Sequence, residues 1–176
     1  MPSNTDPQTL NEQGKQAFQS GQLDMAVDSF RAAAEAYASA HDDLNAAESK
    51  NNLSVALLQS GKGQEALDAA LGTDDVFAKA GDLKRQGMAI GNQAAALEAL
   101  KRIDEALAAY EHSASVFADA GEGDLRAMVL KSAAGLKLKK GKVTESVFKM
   151  VGSLDAKQNP SIFDRILRAV VHFVQR

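Results

Sequence analysis

The chain repeats itself: adding 40 to a residue number lands, again and again, on a residue of the same kind. Gly21, Gly61, Lys101 and Gly141 stand in one column, and Leu23, Gly63, Ile103 and Val143 in another. Ala26, Ala66, Ala106 and Ser146 are all small, and Val27, Leu67, Leu107 and Val147 are all aliphatic. Phe30, Ala70, Tyr110 and Met150 come next, then Tyr37, Phe77 and Phe117, with Lys157 breaking the last column. The segments YASAHDD, FAKAGDL and FADAGEG align without a gap. A period of this length means one supersecondary unit used several times, each unit too small to bury its own apolar face and dependent on its neighbours to do so.

Inside each period the apolar spacing is helical, with two runs per unit. In the third unit Met88, Ile90, Ala94, Leu97 and Leu100 mark one helix, and Ile103, Ala106, Leu107, Tyr110, Ala114 and Phe117 the next. Composition agrees. Ala supplies 32 of the 176 residues, while Val, Ile and Thr together supply 19, a balance that favours closely approaching helices over strands. Gly21, Gly61 and Gly141 lie where a first helix would end, and Gly81 and Gly121 where a second would, with Asp82 and Glu122 opening the next unit. The spacing predicts helices over residues 8–20, 23–39, 43–60, 64–80, 83–100, 103–119, 123–140, 143–157 and 161–175. Gly72 falls inside the fourth of these, where a local irregularity is expected because Gly weakens a helix interior.

The pattern resembles the tetratricopeptide repeat over residues 8–176. Gly14, Ala17, Ala26, Phe30 and Ala33 fall at that family's small and aromatic signature positions, and LEALKRIDEALAAYEHS (97–113) is similar to a typical family stretch. The commonest form repeats every ~34 residues, so the period here is closer to the longer variant of kinesin light chains and related scaffolds. HEAT and armadillo repeats have comparable lengths, but the small residue in the first helix (Gly14, Ser54, Ala94, Ala134) and the Ala in the second favour the tetratricopeptide reading. The resemblance implies an all-α, right-handed superhelical solenoid of four helix-turn-helix hairpins (8–42, 43–82, 83–122 and 123–160), a disordered N-terminus over 1–7, and a C-terminal capping or amphipathic helix over 161–176.

Chemistry is sparse. The chain has no Cys, and its three His, at 41, 112 and 172, lie in different units without metal-ligand spacing. No phosphate-binding glycine motif is present, since the Gly pairs at 61–63 and 121–123 sit at turns. The Asp pairs at 42–43 and 74–75 read as helix starts or exposed face. A non-catalytic protein without cofactor or metal is expected. The N-terminus lacks a signal-peptide pattern and no run is long and apolar enough to span a bilayer, so a soluble, cytoplasmic chain is expected. Lys137, Lys139, Lys140 and Lys142 form a basic run, but without interleaved aromatics in a chain of pI ≈ 5.6 they argue weakly for nucleic acid.

Function is therefore expected in a surface. In the resembled family the first helices line a concave groove that takes peptides, and carrying those positions over implies Asn11, Lys15, Asn51, Asn52, Val55, Leu58, Met88, Asn92, Met128 and Lys131, together with Phe18, Gln59, Ala95, Glu98, Ser132, Leu138 and Lys139. Asn52 and Asn92 share one column of the repeat, where amides can both donate to and accept from a peptide backbone. Met88 and Met128 form a second such pair, suited to adaptable apolar contact. The alternative is that these Asn bond neighbouring helices and the Met fill core gaps. The carboxylate clamp by which some family members grip acidic tails is not implied, since only Asn52 of its residues matches.

Two further features concern association. Residues 1–121 carry a net −9, and residues 122–176 a net +6, which would suit head-to-tail self-association. Residues 161–176 read as a helix with a broad apolar face that includes Phe163, Leu167, Val170, Val171, Phe173 and Val174, beside a polar strip with Arg165 and Arg168. Such a helix can cap the solenoid, dock on a partner or a second copy, or lie peripherally on an anionic membrane. It is too short to span one.

Overall fold

The computed structural model describes residues 6–155, with side chains from Asp6 to Lys142. Phe163, Leu167, Val170, Val171, Phe173, Val174, Arg165 and Arg168 therefore lie outside the described residues, as does the expected helix that carries them. The chain divides into two units, Met1–Leu136 and Lys137–Arg176.

Every described element is helical: α1 (Pro7–Gln19), α2 (Leu23–Ser39), α3 (Asp43–Gln59), α4 (Gly63–Ala70), α5 (Thr73–Lys79), α6 (Leu83–Ala99), α7 (Ile103–Asp119) and α8 (Gly123–Asp155). From α2 onward helices start at an even spacing, at positions 23, 43, 63, 83, 103 and 123, with α5 as the one additional start. The turn chemistry has the same period. At each junction the N–H of the third residue past the helix reaches back to a carbonyl in its last turn, in the pairs Gln22 to Ala17, Asp42 to Tyr37, Lys62 to Leu57, Asp82 to Phe77, Arg102 to Leu97 and Glu122 to Phe117, at 2.9–3.0 Å. Each of these bonds satisfies a carbonyl that the ended helix leaves open, and each needs the residue just before the donor to take a positive φ. Gly21, Gly61, Gly81 and Gly121 do so at +71° to +74°, as expected of Gly. His41 and Lys101 adopt the same conformation at +59° without being glycine.

The next helices are opened by carboxylates where the sequence offers them. Asp6, Asp42 and Asp82 accept the backbone N–H groups of Thr9, Asn45 and Arg85 at 3.0, 3.1 and 2.9 Å. The expected irregularity at Gly72 is a complete break. Gly72 takes φ +77°, and α4 ends at Ala70 while α5 begins at Thr73. The carbonyl of Ala70 accepts from Thr73 Oγ1 at 2.7 Å and from Gln93 Nε2 at 3.2 Å, while Ser54 Oγ donates to the carbonyl of Ala66 at 2.7 Å one turn earlier. Side chains from α3, α5 and α6 thus gather on the last turn of α4.

Packing inside the first unit follows chain order: α1 meets α2, α2 meets α3 and α6 meets α7, while α3 also meets α1, α5 and α6. The core is made of the repeat columns, with Ala26, Ala66 and Ala106 fully buried and Phe30, Phe77, Tyr110 and Phe117 buried as well. Gly14 and Gly87 permit the closest approaches. A Cβ at Gly14 would lie 2.6 Å from the Phe30 ring, and one at Gly87 2.7 Å from the Phe117 ring.

The fourth period departs from the expectation. A turn at Gly141 with helices on either side is replaced by the uninterrupted α8, and Gly141 is not among the positive-φ residues. Ala134, which stands in register with Gly14, Ser54 and Ala94, is exposed rather than buried. Glycine tolerates either conformation, and keeping it in a helix costs only about 1 kcal/mol relative to Ala, so the column alone does not force a turn. No described helix is long and apolar enough to cross a membrane.

Candidate functional site

Two concavities are built at corresponding places in the repeat. The smaller, about 140 Å³, lies between α1 and α3 and is lined by Lys15, Phe18, Gln19, Phe30, Asn52 and Val55. The larger, about 250 Å³, lies between α6 and the first turns of α8 over a floor supplied by α7. Its walls include Met88, Asn92 and Ala95 from α6 and Met128 and Ser132 from α8, and Tyr110 and Phe117 close its base. Ala95, Tyr110 and Ser132 are the counterparts, two periods on, of Lys15, Phe30 and Asn52, so both cavities reuse one frame.

Of the residues expected in the groove, Met88, Asn92 and Met128 are thus brought to one cavity and Lys15, Asn52 and Val55 to the other. Met88 and Met128 are 46% and 59% exposed, so their thioethers are available at the mouth rather than spent on the core. Leu58 is half-buried and packs against the main core without lining either cavity. Lys131 is exposed on the same face of α8 as Met128, one helical turn away. Leu138 is also exposed.

Asn11 and Asn51 go the other way. Both are buried, and each is an interior strut: Asn11 Oδ1 accepts from Ser49 Oγ at 3.4 Å, and Asn51 Oδ1 accepts from Thr73 Oγ1 at 3.0 Å. A polar side chain placed among helices needs such partners, and having them it is withdrawn from any groove. Asn52, one position on, is turned about 100° around the helix and reaches the cavity instead.

Electrostatically the two cavities differ. Lys15 is held by Glu12 at 2.9 Å, and that hydrogen bond raises its pKa. In the larger cavity the Tyr110 hydroxyl donates to Glu98 Oε2 at 3.1 Å. Burial first, and then the Glu98 carboxylate, push the Tyr110 phenol up to about 12. The phenol is consequently a neutral donor at the cavity base. Outside both cavities Arg85 links neighbouring helices: its Nε meets Asp82 Oδ2 at 2.6 Å, its Nη1 meets Glu48 Oε2 at 3.2 Å on α3, and its guanidinium stacks 5.0 Å from the Phe77 ring centre on α5. This cluster ties α3, α5 and α6 together.

Among the described residues no group of His, Asp and Glu has the geometry of a metal site. His41 and His112 are exposed. Gly87, Gly91, Tyr110, Phe117, Leu125 and Val129 line the larger cavity without being among the groove residues the sequence suggests. Tyr110 is legible only as core, but Gly91 carries a signal: it occupies the column of Asn11 and Asn51.

Compared with protein-family models and with curated proteins, the chain matches none.

Proposed function

We propose that this chain is a non-catalytic scaffold for protein–protein interaction that holds a peptide segment, extended or helical, along its first helices. The proposal includes a right-handed, tetratricopeptide-like solenoid, in which α1, α3, α6 and the start of α8 present the concave side. The observation that carries it is the convergence of Met88, Asn92 and Met128 on one exposed cavity and of Asn52 and Val55 on a second cavity of the same frame. Amides can satisfy a peptide backbone in both directions, and half-exposed Met adapts to apolar side chains of varied shape. Asn11 and Asn51 serve the scaffold rather than the ligand. The deciding experiment is affinity capture from cell extract with the wild type and with an Asn52→Ala/Asn92→Ala double variant, read by mass spectrometry. A partner retained by the first and lost from the second is expected; equal capture of every protein by both removes these residues from the binding surface.

A second reading, self-association, is favoured by the opposite net charges of the two parts of the chain, −9 over residues 1–121 and +6 over 122–176. Light scattering at low and high salt separates it, because an assembly held by these charges dissociates as salt rises. A monomer at high concentration in both buffers rejects it.

A further inference from the structure

In each of the first three periods a small residue of the first helix is matched by a small residue twelve positions on in the second: Gly14 by Ala26, Ser54 by Ala66 and Ala94 by Ala106. All six are buried. The Ser54 hydroxyl donates to the Ala66 carbonyl at 2.7 Å, so at this match the two helices touch. The fourth period carries the same match, Ala134 and Ser146, followed by Val147 and Met150 in the columns of Val27 and Phe30. Ala134 is nevertheless exposed. So are Ala127 and Leu130, the latter at 42%, whereas their counterparts on α6, Gly87 and Ile90, are buried. The other side of the same turns is complete, with Val129, Ala133 and Leu136 in the core. The first part of α8 therefore keeps one apolar face that no second helix covers among the described residues, while the ring of Phe117, on α7, lies over the corresponding Gly87.

The sequence that would cover this face is present, but it continues the same helix. The helices α2, α3, α6 and α7 have 17 residues each and α8 has 33, the length of two such helices joined end to end. Residues twelve apart in one continuous helix cannot pack against each other, so Ser146 and Val147 do not close on Ala134 of their own chain. Each chain thus has one vacant second-helix position and one unused second-helix sequence, the condition for reciprocal exchange between two copies. Charge selects the same arrangement. Residues 123–142 hold six Lys or Arg against one Asp, a net +5, and residues 143–155 hold one Lys against Glu145 and Asp155, a net −1. Setting the first stretches of two copies side by side opposes +5 to +5, whereas setting the second stretch of one copy on the first stretch of the other opposes −1 to +5. We propose that two copies of this chain exchange residues 143–155, so that in each the stretch from the other copy lies on Ala127, Leu130 and Ala134 as the missing second helix, with Ser146 of one copy at Ala134 of the other. The inference goes beyond the charge-driven association given above and does not depend on it: the core of the contact is apolar, and high salt does not dissolve it.

The test is light scattering of the full chain at low and high salt, with two variants beside it. A dimer in both buffers is expected. Ala134→Arg, a substitution at an exposed position, should raise the dimer dissociation constant at least tenfold with an unchanged circular-dichroism spectrum. The chain has no Cys of its own, so in an Ala134→Cys/Ser146→Cys double variant a short bismaleimide has only those two thiols to join, and it should link two chains. A monomer in both buffers, a cross-link that fails to join two chains, or an Ala134→Arg variant that dimerises as tightly as the wild type overturns the exchange. An assembly that salt dissolves and Ala134→Arg leaves untouched overturns the exchange while the charge reading stands; a salt-resistant dimer weakened by Ala134→Arg removes the charge reading and keeps the exchange.

Discussion

Gly14 lies against the ring of Phe30, so close that a Cβ on the glycine would fall 2.6 Å from two ring carbons. Gly87 and Phe117 stand in a similar relationship at 2.7 Å, although they join α6 to the far end of α7 rather than repeating the same two columns. In both cases an aromatic ring has taken the volume that a side chain on the first helix would need.

Gly14→Ala and Gly87→Ala should therefore each destabilise the protein by about 1–3 kcal/mol, the usual penalty for overpacking, even though Ala is the better helix former. Chemical denaturation of each single variant checks this. An unchanged or higher midpoint would show that the rings move aside at no cost.

The turns make opposite predictions for residues at equivalent helix junctions. Lys101→Gly and His41→Gly should each stabilise by about 0.5–1 kcal/mol, because relief of a left-handed side chain outweighs the added freedom of the unfolded chain. Gly61→Ala should destabilise by about 1 kcal/mol for the same reason reversed. Gly141→Ala should instead stabilise by up to about 1 kcal/mol, as it lies within the continuous α8. Thermal melts of the four variants measure all of these, and a destabilised Gly141→Ala would mean that a turn exists there after all.

Asp82 caps α6 and also pairs with Arg85. Asp82→Ala should cost about 1 kcal/mol through the lost cap. The Arg85 backbone N–H holds the Asp82 carboxyl below its ordinary value of 3.8, with burial opposing and the Arg85 side chain assisting. A group whose folded pKa is depressed adds stability that is complete above its unfolded value and is lost as pH falls through the folded one. Asp82→Asn, which keeps an N-cap oxygen, should thus narrow its deficit relative to the wild type as the solution is acidified below about pH 4, as a paired pH series of denaturation midpoints would reveal.

Tyr110 controls the alkaline limit. Its phenol is raised from 10.0 to about 12 in the folded chain, so the unfolded chain loses that proton first. The sign is a loss of stability that begins as pH rises through the unfolded value of 10.0 and ends near the folded value of about 12. Tyr110→Phe removes this part of the slope and leaves Tyr37, the other tyrosine, as the remaining phenol. Near-ultraviolet phenolate absorbance and denaturation midpoints over that range check the assignment; equal alkaline slopes for wild type and variant would reject it.

The sequence by itself determined the helices, their repeat and most of their ends, because those depend on neighbours a few positions away. The glycines at 21, 61, 81 and 121 are readable as left-handed turns for that reason. Register also placed Lys101 with Gly21 and Gly61, and His41 with Gly81 and Gly121, although only the structure shows both adopting the glycine conformation. Asn52, Met88, Asn92 and Met128, which the sequence suggests for an exposed helix face, line the two cavities. Tertiary structure decided what local pattern leaves equal. Asn11 and Asn51 turn inward because Ser49 and Thr73, distant in sequence, offer them partners. The weak point at Gly72 becomes a full break because Thr73 and Gln93 meet on the carbonyl of Ala70 and Ser54 on that of Ala66. Gly141 stays helical, since a glycine allows a turn without requiring one. The larger cavity is bounded by residues of α6, α7 and α8 together, a space that is a property of three helices and of no single one.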